Sequence, residues 1–320
     1  ARRAAFRDSA LAALQNAEDA EAAHAAWSRI ATNLADCITD PADIAPLRQT
    51  ILQLAVRGRL VPRDPEDEPA SELRKKIEHE KAKLVRAKKI RKTKPLSPVD
   101  QEELGFVLPA HLQPVRLAEV VLDLQTGPFG SMLHKSDYVP GGTPVINPAS
   151  YSNGTIEPID SMAVDQSALD RLSSYRLRRG DIVVARRGEL GRCAIVTDRE
   201  DGWLCGTGSL MIQMSSYMDA GFLAMLIGTP GSREYLGGVG VGITMKSLNH
   251  SILLKMPIGL PPLAEQRRIV AKVDEFMAIC DELDQRLNEA KAHQSAFAAA
   301  AVHHLQFNQK NDSKQLAASK

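Results

Sequence analysis

Two adjacent arginines at the end of an apolar run are the clearest chemical feature of this sequence. Asp181-Ile182-Val183-Val184-Ala185 reads as a β-strand, and Arg186-Arg187-Gly188 follows it directly. Both guanidinium groups therefore emerge at a strand end, beside a glycine that leaves the backbone free to turn. An arginine fork can bond a guanine edge at two points or grip a phosphate; a salt bridge to a carboxylate is the structural alternative. Gly127-Pro128-Phe129-Gly130-Ser131 reads as a tight turn. Its backbone N–H groups could approach a phosphate, or the turn could simply close a domain. Lys135, Arg192, Ser209, Thr244 and Lys246 are further polar candidates for the same chemistry. Phe129, Tyr138 and Trp203 read more readily as core aromatics than as ligand contacts.

Catalytic patterns are missing from the sequence. There is no GxxxxGK[ST] phosphate loop to drive an ATP motor. The cluster Gly237-Gly238-Val239-Gly240-Val241-Gly242 is not followed by a helix pattern with a ribose-binding acid, and reads as a turn or loop. Asn147-Pro148-Ala149-Ser150-Tyr151 is one residue too long, and one proline short, for an adenine methyltransferase loop. The Glu289-Ala290-Lys291 triplet falls in a helix, where such spacing is ordinary surface charge, so it gives no metal-dependent nuclease. The eight histidines show no ligand spacing, and no Gly-x-Ser-x-Gly elbow is present. Cys37, Cys193, Cys205 and Cys280 lie far apart without a CxxC pair, which argues for reduced thiols in a cytoplasmic protein over a disulfide or zinc framework. No run of about 18 apolar residues suggests a membrane span.

The elements that must hold these residues divide the chain of 320 by texture. Hydrophobic content of 44% and charged content of 25% are ordinary, and the net charge of +1 conceals segregation. Between Glu72 and Lys94 stand eleven Lys or Arg against three Glu. Residues 1–60 read as helical, with a helix over 9–35 ended by Thr39-Asp40-Pro41 and a second over 44–57 closed by Gly58. Residues 61–114 hold a linker punctuated by Pro62, Pro65 and Pro69, then a basic helix capped by Ser71 and running to Lys94. Residues 115–260 show short β-like runs between Gly, Pro, Asn and Asp, with a helix at 217–236. Over 261–307, Ile269, Phe276, Leu283, Ala290 and Phe297 recur every seventh residue. Val273, Cys280, Leu287 and Ala301 fill the intervening positions, with Gln294 polar at one. Such spacing predicts a coiled-coil helix of roughly 65 Å that needs a partner, and the 72–94 helix is a natural antiparallel one. The polar tail 308–320 reads as disordered. The expected class is α+β: a mostly β domain flanked by long coiled-coil-forming helices.

A series of short strings runs through the β-like region. They are Thr126-Gly127-Pro128-Phe129-Gly130-Ser131, Lys135-Ser136-Asp137-Tyr138, Gly180 to Gly188, Gly191-Arg192-Cys193-Ala194, Gly206-Thr207-Gly208-Ser209-Leu210, Thr244 to Asn249, and Leu260-Pro261-Pro262-Leu263-Ala264-Glu265-Gln266-Arg267-Arg268-Ile269-Val270. In this order and spacing they resemble a target recognition domain of a Type I restriction–modification specificity subunit, followed by its C-terminal helix. Leu47 to Val61 resembles the region preceding such a domain. Any one string is weak; seven in register are specific. The resemblance covers about 45–300.

The resemblance implies a non-catalytic subunit that reads one half of a two-part site in double-stranded DNA. Its helices would set the spacer between halves and dock methyltransferase (M) subunits, and through them the restriction (R) subunit. At about 3.4 Å per base pair, a 65 Å helix can separate two readers by more than a turn. The family pattern has two recognition domains, whereas this sequence shows one. That points to a fragment, or to a half that pairs with a second specificity half. Ala5 to Gln15 aligns faintly with Ala296 to Gln306, as if the chain began inside a first copy of the long helix. No cofactor is expected on this chain; S-adenosylmethionine, ATP and Mg would belong to the partner subunits. The DNA contacts implied are Gly127, Phe129, Gly130, Ser131, Lys135, Arg186, Arg187, Gly188, Arg192, Ser209, Thr244 and Lys246, with base-specific residues such as Tyr151, Asn153 and Arg171 in 151–179. The competing reading is a coiled-coil scaffold whose β head binds another protein.

Overall fold

Apolar residues at helical spacing build one end of the molecule and apolar runs at strand spacing build the other. The computed structural model describes residues 2–33, 38–238 and 247–318. The helices Arg2–Gln15, Ala20–Thr32 and Ile44–Val56 pack with the first half of a long helix, Leu263–Ala318. Leu14, Ile30, Leu47, Ile51, Leu54, Ile269, Phe276 and Cys280 form their shared core. Each side chain of this size contributes about 1.5–3 kcal/mol on full burial. The Trp27 and Phe276 rings pack with centroids 4.2 Å apart, and Arg48 pairs with Asp281 at 2.6 Å.

Several helices end earlier than their composition suggests. The helix expected over 9–35 is broken between Gln15 and Ala20, where the Asp19 carboxylate caps a new start by accepting from Ala22 N–H. The helix expected over 217–236 is two, Ala220–Gly228 and Pro230–Gly237, because Pro230 cannot donate to the preceding turn. The basic helix spans Ala70–Arg86 and starts at Pro69 without a side-chain cap, so Ser71 lies inside it. It stops because Lys88 turns into the left-handed region at φ 56°, while Lys89 N–H donates to Leu84 O and Lys88 N–H to Val85 O. This is the Schellman arrangement with lysine where glycine is usual, at a cost of about 1–2 kcal/mol.

The strands are β1 Gln113–Arg116, β2 Val121–Thr126, β3 Tyr138–Ile146, β4 Tyr151–Ser152, β5 Thr155–Ile156, β6 Ala163–Val164, β7 Ile182–Ala185, β8 Cys193–Ile195, β9 Leu204–Cys205, β10 Ser209–Met214 and β11 Pro257–Leu260. They form an antiparallel sheet β2-β10-β7-β8, a mixed sheet β6-β3-β9, the hairpin β4-β5 and the pair β1-β11. The architecture is α+β. The central strands are unbroken apolar runs because both faces are covered. Ile182, Val184, Leu210 and Ile212 face the helices, whereas Val183, Ala185 and Met211 face a second core with Ile146, Tyr151 and Leu177. Burial pushes the Cys205 thiol in this core up to about 12, so it stays protonated. In β1-β11, Gln113 stands opposite Leu260 and Arg116 opposite Pro257, so the first and last strands of the β region clasp each other.

The long helix does not take the basic helix as its antiparallel partner. It packs against Ile44–Val56 and Ala220–Gly228, while Ala70–Arg86 packs against the short helix Leu117–Val120 and against β2. Its buried residues, Ala70, Leu73 and Ile77, make a stripe too short for a coiled coil. Ile269, Val273, Phe276 and Cys280 are buried, Leu283 and Leu287 half-buried, and from Asn288 to Ala300 every residue is exposed. Phe297 is 77% exposed. The helix continues to Ala318, past the boundary at which an unstructured tail is expected.

Candidate nucleic-acid interface

Three strand ends meet at one edge of the antiparallel sheet. Thr126 ends β2 opposite Leu210, and Ala185 ends β7 opposite Ser209, the first residue of β10. The chain therefore leaves β2 into Gly127, leaves β7 into Arg186 and enters β10 from Gly208 at adjacent points. Backbone bonds fix all three: Gly127 N–H donates to Ser209 O at 3.1 Å, Arg186 N–H to Gly208 O at 3.0 Å, and Leu248 N–H to Arg186 O at 2.8 Å. Side chains complete the frame. Thr207 Oγ1 donates to Pro128 O at 2.6 Å, and Gly208 N–H donates to Asn147 Oδ1 at 3.1 Å.

The frame encloses a cleft of about 520 Å³ lined by Thr126, Phe129, Arg186, Arg187, Thr207 and Gly208. Two guanidinium groups and an aromatic ring share it, and among the described residues no carboxylate lines it. Among the described residues neither arginine has a carboxylate partner, and Arg186 Nε is buried without a hydrogen-bond acceptor. Phe129 is 60% exposed, so it is a rim aromatic and not a core one. Behind the cleft, Thr126 Oγ1 and His250 Nε2 share a hydrogen bond at 2.7 Å. Burial, and then the nearby Arg186 charge, hold His250 below its usual range and keep the ring neutral at pH 7. A cleft with two cationic forks and no acid suits an anion, and the ring beside it suits a planar base. Among the described residues no cluster of three His, Cys, Asp or Glu could hold a metal ion.

Of the residues expected from the sequence, the structure brings Phe129, Arg186 and Arg187 together. Gly130 and Ser131 are exposed in the turn next to Phe129, and Gly188 follows Arg187 at φ 76° with open space around it. Lys135 is exposed on the following turn, Lys135–Asp137. Gly127 closes the turn. Its N–H is taken by Ser209, and a Cβ there would lie 2.0 Å from Gly206 O, so it is the closest approach of two backbones. Ser209 is fully buried, bonding Ile146 O and Tyr151 Oη at 3.2 Å each. Arg192 lines a separate pocket with Cys193 and Arg233, its guanidinium 5.8 Å from the Tyr151 ring centroid. Thr244 and Lys246 lie outside the described residues.

Tyr151 is buried, Asn153 sits at an exposed hairpin tip with φ 49°, and Arg171 pairs with Asp137 at 2.9 Å. Tyr138 and Trp203 pack against the cores, as expected of them. Thr126, Thr207 and His250 are functional candidates that the sequence does not single out. The first two flank glycines in the quoted strings, which is the signal that could have marked them; His250 carries none, since its place depends on a fold-level contact.

Among the described residues no helix is long and apolar enough to cross a membrane. Comparison with known proteins gives concordant matches. The Type I restriction enzyme EcoEI specificity subunit of Escherichia coli is 31% identical over 306 residues, covering 91% of this chain and 50% of that protein. The EcoAI specificity subunit of Escherichia coli is 30% identical over 299 residues, covering 91% and 49%. The chain thus spans about half the length of the curated relatives it matches. The crystal structure of the HsdS subunit from Thermoanaerobacter tengcongensis aligns with a TM-score of 0.43 and 20% identity, over 68% of this chain and 47% of that one. The family described as the Type I restriction modification DNA specificity domain matches residues 113–291, from β1 through the buried half of the long helix. With more than half of its length so matched, cleft included, the chain belongs to the Type I restriction modification DNA specificity family.

Proposed function

We propose that this chain reads one half of a two-part site in double-stranded DNA, without catalysing a reaction, for a Type I restriction–modification complex of the cytoplasm. The observation that carries the reading is the cleft at the sheet edge, where Arg186 and Arg187 stand without carboxylate partners among the described residues, beside exposed Phe129. One arginine can address a base edge and the other a phosphate, while the ring gives a flat apolar surface. The helical end is the docking part in this reading. The exposed heptad face beyond Leu287 awaits a helix from a second specificity half or a methyltransferase subunit, and those partners bring S-adenosylmethionine, ATP and Mg.

The test is to purify the chain with its methyltransferase subunits and map methylated adenines across a genome. Replacing residues 115–260 by the corresponding region of a relative should change one half of the methylated sequence and leave the spacer unchanged. An unaltered methylation map after that replacement would end the proposal.

A further inference from the structure

Between Glu80 and Asp100 the sequence holds eight lysines and arginines and no acid. Lys81 is used within the fold: its ammonium donates to Ala118 O, and burial lowers its pKa. The other seven, from Lys83 to Lys94, are all exposed, and among the described residues none has a carboxylate within 4.0 Å. The first half of the same helix differs. There Arg74 pairs with Glu119 at 3.1 Å, Lys75 with Glu72 at 2.7 Å and Lys76 with Glu68 at 2.6 Å. One half of the helix neutralises itself, and the other half with its trailing segment does not.

The turn at Lys88 gives this charge a shape. The chain reverses there, Ile90 is buried as an anchor, and residues 91–99 run back beside the helix. A groove of about 770 Å³ lies between them; Val85, Leu96, Pro98, Glu78 and Glu119 line it too, with Arg86 on the helix bank and Arg91, Lys92 and Lys94 on the returning bank. None of the exposed large apolar side chains falls between residues 81 and 99. Protein–protein interfaces are centred on buried aromatic and apolar anchors; cations without such anchors match a polyanion.

We propose that residues 83–94 form a second, sequence-independent phosphate-binding strip, separate from the recognition cleft. Lys81 bonds Ala118 and Glu80 bonds Ser215, next to Met214 opposite Val121, so the strip's helix packs at the Val121 end of β2, and the cleft lies at the Thr126 end. Five residue steps of about 3.4 Å put roughly 17 Å of strand between them. The two sites therefore hold different phosphates, and the strip adds affinity that the base sequence does not modulate. This inference rests on the DNA-reading proposal above.

The test compares the full chain with its Lys88→Gln/Lys89→Gln/Lys92→Gln variant on a random-sequence duplex and on a duplex carrying the mapped site, across salt. Removing three phosphate-neutralising charges lowers the slope of log affinity against log salt by about 2.7. The fall in affinity between 50 and 200 mM salt then shrinks about forty-fold, equally on both duplexes. The triple Lys→Arg variant keeps the original slope, which separates missing charge from altered folding. An unchanged slope in the Gln variant overturns the strip while leaving the recognition reading intact. A changed slope in a chain that shows no site preference supports the strip and sinks the recognition reading. Intact DNA binding with abolished association to the methyltransferase subunits assigns the strip to a protein partner and overturns the proposal.

Discussion

Replacing Arg186 by methionine keeps the side-chain stem and removes the guanidinium, and the structure sets opposite signs for its two effects. The backbone at this position is held by Gly208 on one side and Leu248 on the other, so neither bond depends on the side chain. Among the described residues Arg186 Nε is buried without an acceptor, a state that costs about 1–3 kcal/mol. Removing it leaves stability unchanged or raises it, by about 2–4 °C in melting temperature for each kcal/mol. Binding moves the other way. A two-point arginine bond to a base is worth about 1–3 kcal/mol, so its absence weakens affinity for the cognate duplex roughly 5- to 150-fold. The assay pairs thermal melting of the free protein with affinity for cognate and random duplexes at several salt concentrations. If Arg186 addresses a base, the variant prefers the cognate duplex less and keeps its salt slope. If Arg186 grips a phosphate, both affinities fall together and the slope drops by about 0.9. A melting temperature several degrees lower, with no change in either affinity, would show Arg186 to be a structural bridge and refute the reasoning.

Gly127→Ala forces a methyl group onto Gly206 O, 2.0 Å from the ideal Cβ, and should cost about 1–3 kcal/mol together with cognate DNA affinity, read by melting and binding on one preparation. Asp181 accepts from Arg178 N–H in a buried turn, and burial raises its pKa to about 6. Because the folded value is raised, the stability linked to its proton is complete below about pH 4 and lost as pH rises through 6. Asp181→Asn should therefore be more stable than the parent by about 1–3 kcal/mol at pH 7–8, with the gap closing near pH 4 in a denaturant titration. Phe276→Ala should cost about 3–5 kcal/mol by emptying the space against Trp27, whereas Phe297→Glu should leave melting of the single chain unchanged and weaken co-purification with its helical partner.

The sequence made the α+β division, the long helix and the cleft arginines legible because each rests on a local pattern. Four apolar residues before Arg186 identify a strand end, and seven-residue spacing identifies a helix face. What it concealed depended on partners far along the chain. Ser209 looks like a polar ligand, yet Tyr151 and Ile146 enclose it. Gly127 looks like a free amide, yet Ser209 takes its hydrogen. The stop at Lys88 has no local signature, because a lysine holds the left-handed position that glycine normally announces. The partner of the long helix is hidden for a related reason: the Leu73 and Ile77 stripe shows that the basic helix is covered, but not by what.

The clasp between β1 and β11 has an evolutionary reading. Gln113 and Leu260 are directly paired, so the chain enters and leaves the β-rich unit at points about 5 Å apart. Whatever lies between them is, geometrically, a loop inserted into a helical frame. Under the proposed function, exchanging the gene segment between the two strands would deliver a new specificity without moving the helical frame. The proposed reader can then change while the helical frame around it stays fixed.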